Sequence, residues 1–301
     1  VNDRPTRATV AGRAYLDLQN LARRTKRPTD ELHQLYALEG FLARLAESEH
    51  ADRLVLKGGV LLAALDVRRP TRDVDFQGQQ LSNEVEHVLA TVQSIANTTI
   101  DDGLVMDADG ATAEIIRDQD EYSGVRVTLT AQLAVARLTF HVDINVGDPI
   151  WPEPQVVALP RLLDGVIRVT GYPLAMVHAE KLVTALQRGA ANTRWRDFVD
   201  IYTLSRRHDI AGGKLTTAVR TVAEHRDARL TSLAEALGDY ALRAQSRWSA
   251  WLRKQRLTDE VPSDFSLLLD AIGEFADPVL LGNATGWIWD AATCTWIPSR
   301  H

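Results

Sequence analysis

The stretch that most constrains this chain is Arg53-Leu54-Val55-Leu56-Lys57-Gly58-Gly59-Val60-Leu61-Leu62, followed after a short basic connection by Thr71-Arg72-Asp73-Val74-Asp75-Phe76. Its apolar run predicts a strand that enters a Gly-Gly turn and continues as a helix, since glycine tolerates tight backbone and lets a ligand approach closely. In the second segment Asp73 and Asp75 stand two apart on a predicted strand. Period-2 alternation therefore sends both carboxylates to one face and Val74 to the other. Two such anions repel by roughly 4 kcal/mol at 4 Å and an effective dielectric near 20. The pair is tolerable when solvated or when it holds a divalent metal. Either half alone has a plainer reading, a surface turn or an exposed strand edge. In succession they point to a phosphate-facing turn beside a cation site.

With 301 residues, 45% hydrophobic and 25% charged, the chain is long enough for two packed units. A single cysteine, Cys294, excludes an intramolecular disulfide framework or a cysteine-cluster metal site and fits a reducing compartment. No apolar run approaches the roughly 18 to 20 residues that cross a bilayer. The start Val1-Asn2-Asp3-Arg4-Pro5 lacks the apolar core of a signal peptide. A cytoplasmic protein without a membrane partner is expected. The formal charge of −6 argues against indiscriminate nucleic-acid binding, so an RNA partner must meet a local basic patch.

Helical spacing of leucine and alanine predicts helices over 8–24 and 29–47, broken at Pro28, with Thr29 or Asp30 as the second N-cap. An amphipathic helix is expected over 83–96, then strands near 113–116, 125–129 and 136–146. In the last, Leu138, Phe140, Val142 and Ile144 take one face and Arg137, Thr139, His141, Asp143 and Asn145 the other. Asp143 is thus a candidate third carboxylate for a two-metal phosphoryl-transfer site, or else a solvent-facing edge residue. Asp148, in Gly147-Asp148-Pro149, reads as turn chemistry. The proline-rich stretch 152–160 reads as irregular and as the boundary between a first lobe, 1–160, and a mainly helical second lobe, 161–301.

In that second part Pro173 opens a helix to Gln187, and another spans 194–207. His178, Lys181, Ala185 and Arg188 share a face of the first helix, and Asp197 and Asp200 flank the second. Lys181 could donate to phosphate oxygens with Asp197 orienting it, or could be a solvated helix lysine. Helices follow over 214–225, 230–252 and 266–275. The densest basic-aromatic stretch sets Arg243, Arg247, Arg253, Lys254 and Arg256 among Trp248 and Trp251, tryptophans that read first as core. Residues 286–298, with Trp287, Trp289 and Trp296, read as an aromatic-stapled hairpin.

Three segments carry a more specific resemblance: Tyr36–Leu45 before Leu54–Gly59; Arg69-Pro70-Thr71-Arg72-Asp73-Val74-Asp75-Phe76; and Glu180-Lys181-Leu182 with Arg196-Asp197-Phe198-Val199-Asp200. Together they resemble the AbiEii family of toxin nucleotidyltransferases, to which the MenT toxins of mycobacteria belong. The resemblance implies an α+β, bilobed protein: a small mixed β-sheet nucleotidyltransferase core flanked by helices, plus a C-terminal helical lobe. It implies a nucleoside triphosphate substrate, Mg2+ or Mn2+, an RNA acceptor such as the 3′ end of tRNA, and a partner antitoxin. Asp73 and Asp75 fall to the metal, and Asp143, the candidate from strand alternation, is expected to join them. Lys57, Gly58, Gly59, Thr71 and Arg72 fall to the nucleotide, and Lys181 and Asp197 to the helical-lobe catalytic motif. Asp143 is also the expected base for the acceptor hydroxyl. Thr71 stands where the family commonly has serine, which keeps the hydroxyl and leaves regulatory phosphorylation there open. The competing readings are nucleotidyl transfer to a protein hydroxyl or an aminoglycoside-like small molecule, and a non-catalytic nucleotide- or RNA-binding module. Intact Asp73, Asp75 and Asp143 speak against the last.

Overall fold

The computed structural model describes residues 4–118 and 122–299. Val1, Asn2 and Asp3, read above as no part of an apolar leader, lie outside the described residues. The chain divides into two compact units, Val1–Asp148 with Pro154–Tyr172, and Pro149–Glu153 with Pro173–His301. Among the described residues no helix is long and apolar enough to cross a membrane.

In the first unit α1 (Val10–Thr25) starts at Thr9, whose hydroxyl accepts the Gly12 N–H at 3.0 Å. The second helix, α2 (Thr29–Ala46), has Pro28 at its cap position and no side-chain capping bond, so the Thr29 or Asp30 cap is corrected. Proline presets the entry dihedral, and Asp30 and Glu31 then lie in the first turn, where they complement the helix dipole. Leu35, Leu38, Phe41, Leu42 and Leu45 are all buried. β1 (Leu54–Lys57) runs directly into α3 (Gly58–Leu61) and a 3-10 turn, and β2 (Asp73–Gly78) returns antiparallel to β1. After α4 (Val85–Ala96) come three long strands, β3 (Leu104–Asp118), β4 (Tyr122–Leu133) and β5 (Ala136–Val146), paired as an antiparallel meander.

The stretch read as irregular instead forms β6 (Gln155–Pro160), which pairs antiparallel with β7 (Val166–Gly171). Its prolines mark the ends of an outermost strand, where a missing N–H is tolerated. Between them Val157 and Leu159 alternate inward. The boundary expected at residue 160 falls inside this hairpin, which stays with the first unit because β7 pairs with β1. The sheet order is β3-β4-β5-β2-β1-β7-β6, mixed because the β2–β5 and β1–β7 pairs are parallel. Phe41 of α2 sits between Phe76 and Phe140, with ring centroids 6.3 and 6.0 Å away, and so joins the helix to the middle of the sheet.

The second unit is mainly helical. α5 (Leu174–Arg188) and α6 (Trp195–Ser205) are followed by the short β8 (Ile210–Ala211) and α7 (Gly212–His225). The single helix expected over 230–252 is two, α8 (Leu233–Leu237) and α9 (Tyr240–Gln255), because Gly238 takes φ of 52° and ends the first. α10 (Phe265–Leu280) packs Phe265 against Trp248 at 4.8 Å, so Trp248 is core. The expected terminal hairpin is β9 (Trp287–Asp290) with β10 (Thr295–Pro298), and β8 extends it to three strands. Trp289 is its buried anchor, packed on Phe275 at 5.0 Å, with Nε1 donating to the Ser205 carbonyl.

Candidate active site

Gly58 and Gly59 are fixed by what lies against them. Gly58 has φ of +68°, and a Cβ there would lie 1.8 Å from Asp75 Oδ2. Only glycine meets both demands, so the β1–α3 turn and the Asp75 carboxylate occupy one another's space. A Cβ on Gly59 would lie 3.1 Å from Thr71 Oγ1. β2 and β5 run parallel with Asp75 beside Asp143 and Asp73 beside His141. Alternation puts Asp73 and Asp75 on one face, and Asp143 on the neighbouring strand joins them. Carboxylate oxygens of Asp73, Asp75 and Asp143 lie within 4.8 Å of one another. The Thr71 hydroxyl donates to Asp73 Oδ1 at 2.9 Å and the Arg72 N–H to the same oxygen at 3.1 Å, so these two orient the outermost carboxylate. The Arg72 side chain is exposed.

Lys57 stands directly opposite Asp75 in the β1–β2 ladder. Its Nζ donates to Asp148 Oδ2 at 3.3 Å and lies 5.7 Å from the Tyr172 ring centroid. Asp148 is therefore no mere turn residue: its side chain is 6% exposed and ion-paired to Lys57. The reason is positional, since the chain leaves β5 at Gly147 and folds Asp148 against the end of β1.

Burial, and after it the charges of Asp73 and Asp143, push the Asp75 carboxyl up to about 6, against the smaller pull of Lys57 and Arg69. A cluster this short of positive charge, with only hard oxygen donors, fits a divalent cation of the Mg2+ or Mn2+ kind. One cation is already built in. Arg126 of β4 faces Asp143 across the ladder and clamps both its oxygens, Nε at 2.8 Å and Nη2 at 2.7 Å. Each oxygen keeps a lone pair for a second partner. The clamp holds the Asp143 carboxylate in place beside Asp73 and Asp75. Sequence reading missed Arg126. Strand alternation places it on the polar face, but only the β4–β5 register brings it to Asp143. Arg68, a basic neighbour of the site in sequence, is spent elsewhere, pairing with buried Glu39 at 2.5 Å.

In the second unit Lys181 of α5 donates to Asp197 Oδ1 at 2.7 Å and Asp200 Oδ2 at 2.9 Å, both on α6. Arg194 Nε adds a 2.7 Å bond to Asp197 Oδ2. Burial alone would raise the Asp197 pKa, but the charges and hydrogen bonds of Lys181 and Arg194 hold the carboxyl well below its ordinary range. The ammonium therefore sits between two buried carboxylates, Asp197 and Asp200. His178 and Ala185, expected to share a polar face with Lys181, are buried instead. His178 lies 4.8 Å from Phe275, and its pKa falls to about 3 through burial first and then the nearby Lys181 and His208.

The family model described as "Nucleotidyl transferase AbiEii toxin, Type IV TA system" matches residues 40–278. The chain belongs to the AbiEii family. No curated protein matches it. Among solved structures it is similar to a proposed nucleotidyltransferase of Helicobacter pylori, 16% identical, with 84% of this chain and 96% of that one covered at a TM-score of 0.48. It is also similar to the H. pylori protein JHP933, again 16% identical, with 89% and 93% covered at 0.46. As an AbiEii protein it is a nucleotidyltransferase and the toxin of a type IV toxin-antitoxin system, with a nucleoside triphosphate substrate and an antitoxin partner. The matched span takes in the Gly58 turn, the three carboxylates and the Lys181 cluster of this AbiEii chain.

Proposed function

We infer that this AbiEii enzyme transfers nucleotides from a nucleoside triphosphate to an RNA acceptor, the 3′ end of tRNA, with Mg2+ or Mn2+ held by Asp73, Asp75 and Asp143. The observation that carries the reading is the oxygen cluster within 4.8 Å at the mouth of the Gly58 turn. When bound, the cation neutralises phosphate charge and lowers the pKa of the attacking hydroxyl. The remaining work falls to the chain. Thr71 and the Arg72 N–H fix Asp73, Arg126 fixes Asp143, and Lys57 supplies positive charge beside Asp75. Gly58 and Gly59 let the β1–α3 turn, assigned to the triphosphate, close directly against Asp75 and Thr71. Lys181, held by Asp197 and Asp200, is assigned to phosphate charge that develops during transfer. The RNA acceptor and its tRNA terminus rest on the family resemblance.

Incubating the protein with each labelled triphosphate, Mg2+ and total cell RNA tests the reading. Label in an RNA band, lost in Asp73→Asn, is the expected result. Label in protein or in a small product instead would overturn the acceptor assignment while leaving the nucleotidyl transfer in place.

A further inference from the structure

The chain carries a formal charge of −6, yet the 16 residues of α9 include four bases and no acid. Arg243, Arg247, Ala250 and Lys254 recur at i, i+4, i+7 and i+11, so they form one ridge along the helix. All four are exposed, while Tyr240, Ala244, Trp248 and Leu252 bury the opposite face. At 1.5 Å per residue the ridge runs roughly 16 Å. Arg243 shares its charge with Asp239 at 2.7 Å. Arg247 and Lys254 make no ion pair among the described residues. Cations without local partners in an acidic protein are available to an external anion.

An aromatic edge runs beside the ridge. Trp251 is half-buried and held in place, stacked on the core residue Trp248 at 5.4 Å and edge-on to Trp195 at 5.9 Å. A protein partner would find an apolar centre depleted of lysine. Here the centre of the patch is cationic, with Ser246 and Ala250 between the charges and a single large exposed apolar side chain of the helix, Leu242, to one side. That order complements a strand of repeating phosphates, about five of which span 16 Å along a duplex, and a fixed indole edge suits a neighbouring base.

We propose that the Arg243-Arg247-Lys254 ridge of α9, flanked by Trp251, docks the phosphate backbone of the RNA acceptor. This rests on RNA being the acceptor. It adds a second place of contact, remote in sequence from the carboxylates, that supplies affinity without reading bases.

The test is fluorescence anisotropy of labelled total tRNA over a series of salt concentrations, with the whole protein and the double variant Arg247→Gln, Lys254→Gln. Both substitutions are on an exposed helix face, so melting temperature and triphosphate binding should not move. The variant should bind tRNA about tenfold more weakly at low salt, with the log–log salt slope reduced by about 2. Unchanged affinity and slope would overturn the docking surface, and label still entering RNA would show that the acceptor reading survives it. A wild-type protein that holds no tRNA would sink both. Loss of binding to the purified antitoxin with tRNA binding intact would reassign the ridge to a protein partner and overturn the proposal.

Discussion

Asp75 shows how one residue carries opposite demands. Its native pKa, about 6, lies above the ordinary 3.8, so the native state binds the proton more tightly than the unfolded chain does. Metal-free stability therefore falls as pH rises from about 4 to about 6 and stays lower above that, by something on the order of 2 to 3 kcal/mol. Asp75→Asn should melt higher than the wild type at pH 7.5, with the difference vanishing toward pH 4, while transfer is abolished. Added Mn2+ should raise the wild-type melting temperature and leave the variant where it was. Arg126 tests the same balance from the cationic side. Removing a positive charge from beside the carboxylates strengthens their attraction for a cation, so Arg126→Gln should bind Mn2+ more tightly in calorimetry yet turn over more slowly. Unchanged or weaker metal binding would make Arg126 a purely structural residue. Lys181→Ala should lower kcat with little change in KM for triphosphate, a loss of about 2 to 4 kcal/mol in the barrier. It should also lower the melting temperature, because Asp197 and Asp200 lose their shared counter-ion. A raised KM alone would make Lys181 a simple binding contact. Of these residues, Asp73, Asp75 and Asp143 were legible from period-2 alternation. Arg126 and Asp148 were not, because their partners are set by strand register and by the path out of β5.

At the scale of elements, what was legible follows the strength of local pattern. β5 alternates cleanly and was read to its ends, and α1, α2 and α4 show apolar positions at helical spacing. β6 failed because its prolines outweighed its short alternation, and the α8–α9 break failed because a single Gly238 interrupts an otherwise helical run. Long-range polar ties were invisible. The tie of α2 to the loop before β3 is an example: Arg44 and Asp102 are both nearly fully buried, and the guanidinium donates to Asp102 at 2.6 and 3.1 Å and to the Leu104 carbonyl at 3.0 Å. Asp102→Ala should destabilise the protein by about 3 to 5 kcal/mol, since it strands a buried cation. The shift in urea midpoint measures it, and a shift under about 1 kcal/mol would mean that Arg44 finds solvent or another acceptor.

Across the whole molecule, each unit has a core of its own: Phe41, Phe76 and Phe140 in one, and Trp248, Phe265, Phe275 and Trp289 in the other. Damage should follow that division. Trp289→Ala removes a buried indole and its bond to Ser205, a loss of about 3 to 5 kcal/mol, and should melt the second unit at lower temperature. Divalent-metal binding at the carboxylates of the first unit should persist in that variant, as read by Mn2+ titration below the transition.

The β1–β7 pairing has a consequence for how the chain is made. β1, β2 and β5 leave the ribosome early, so Asp73, Asp75 and Asp143 all exist before β7 is synthesised. Until residues 166–171 emerge, however, the inner strand β1 is an open edge with unpaired backbone groups, poised for non-native pairing between nascent chains. A message cut short after residue 148 would thus yield every carboxylate of the cluster on a sheet that cannot close, and its product should go to aggregation or proteolysis before it can poison the cell that made it.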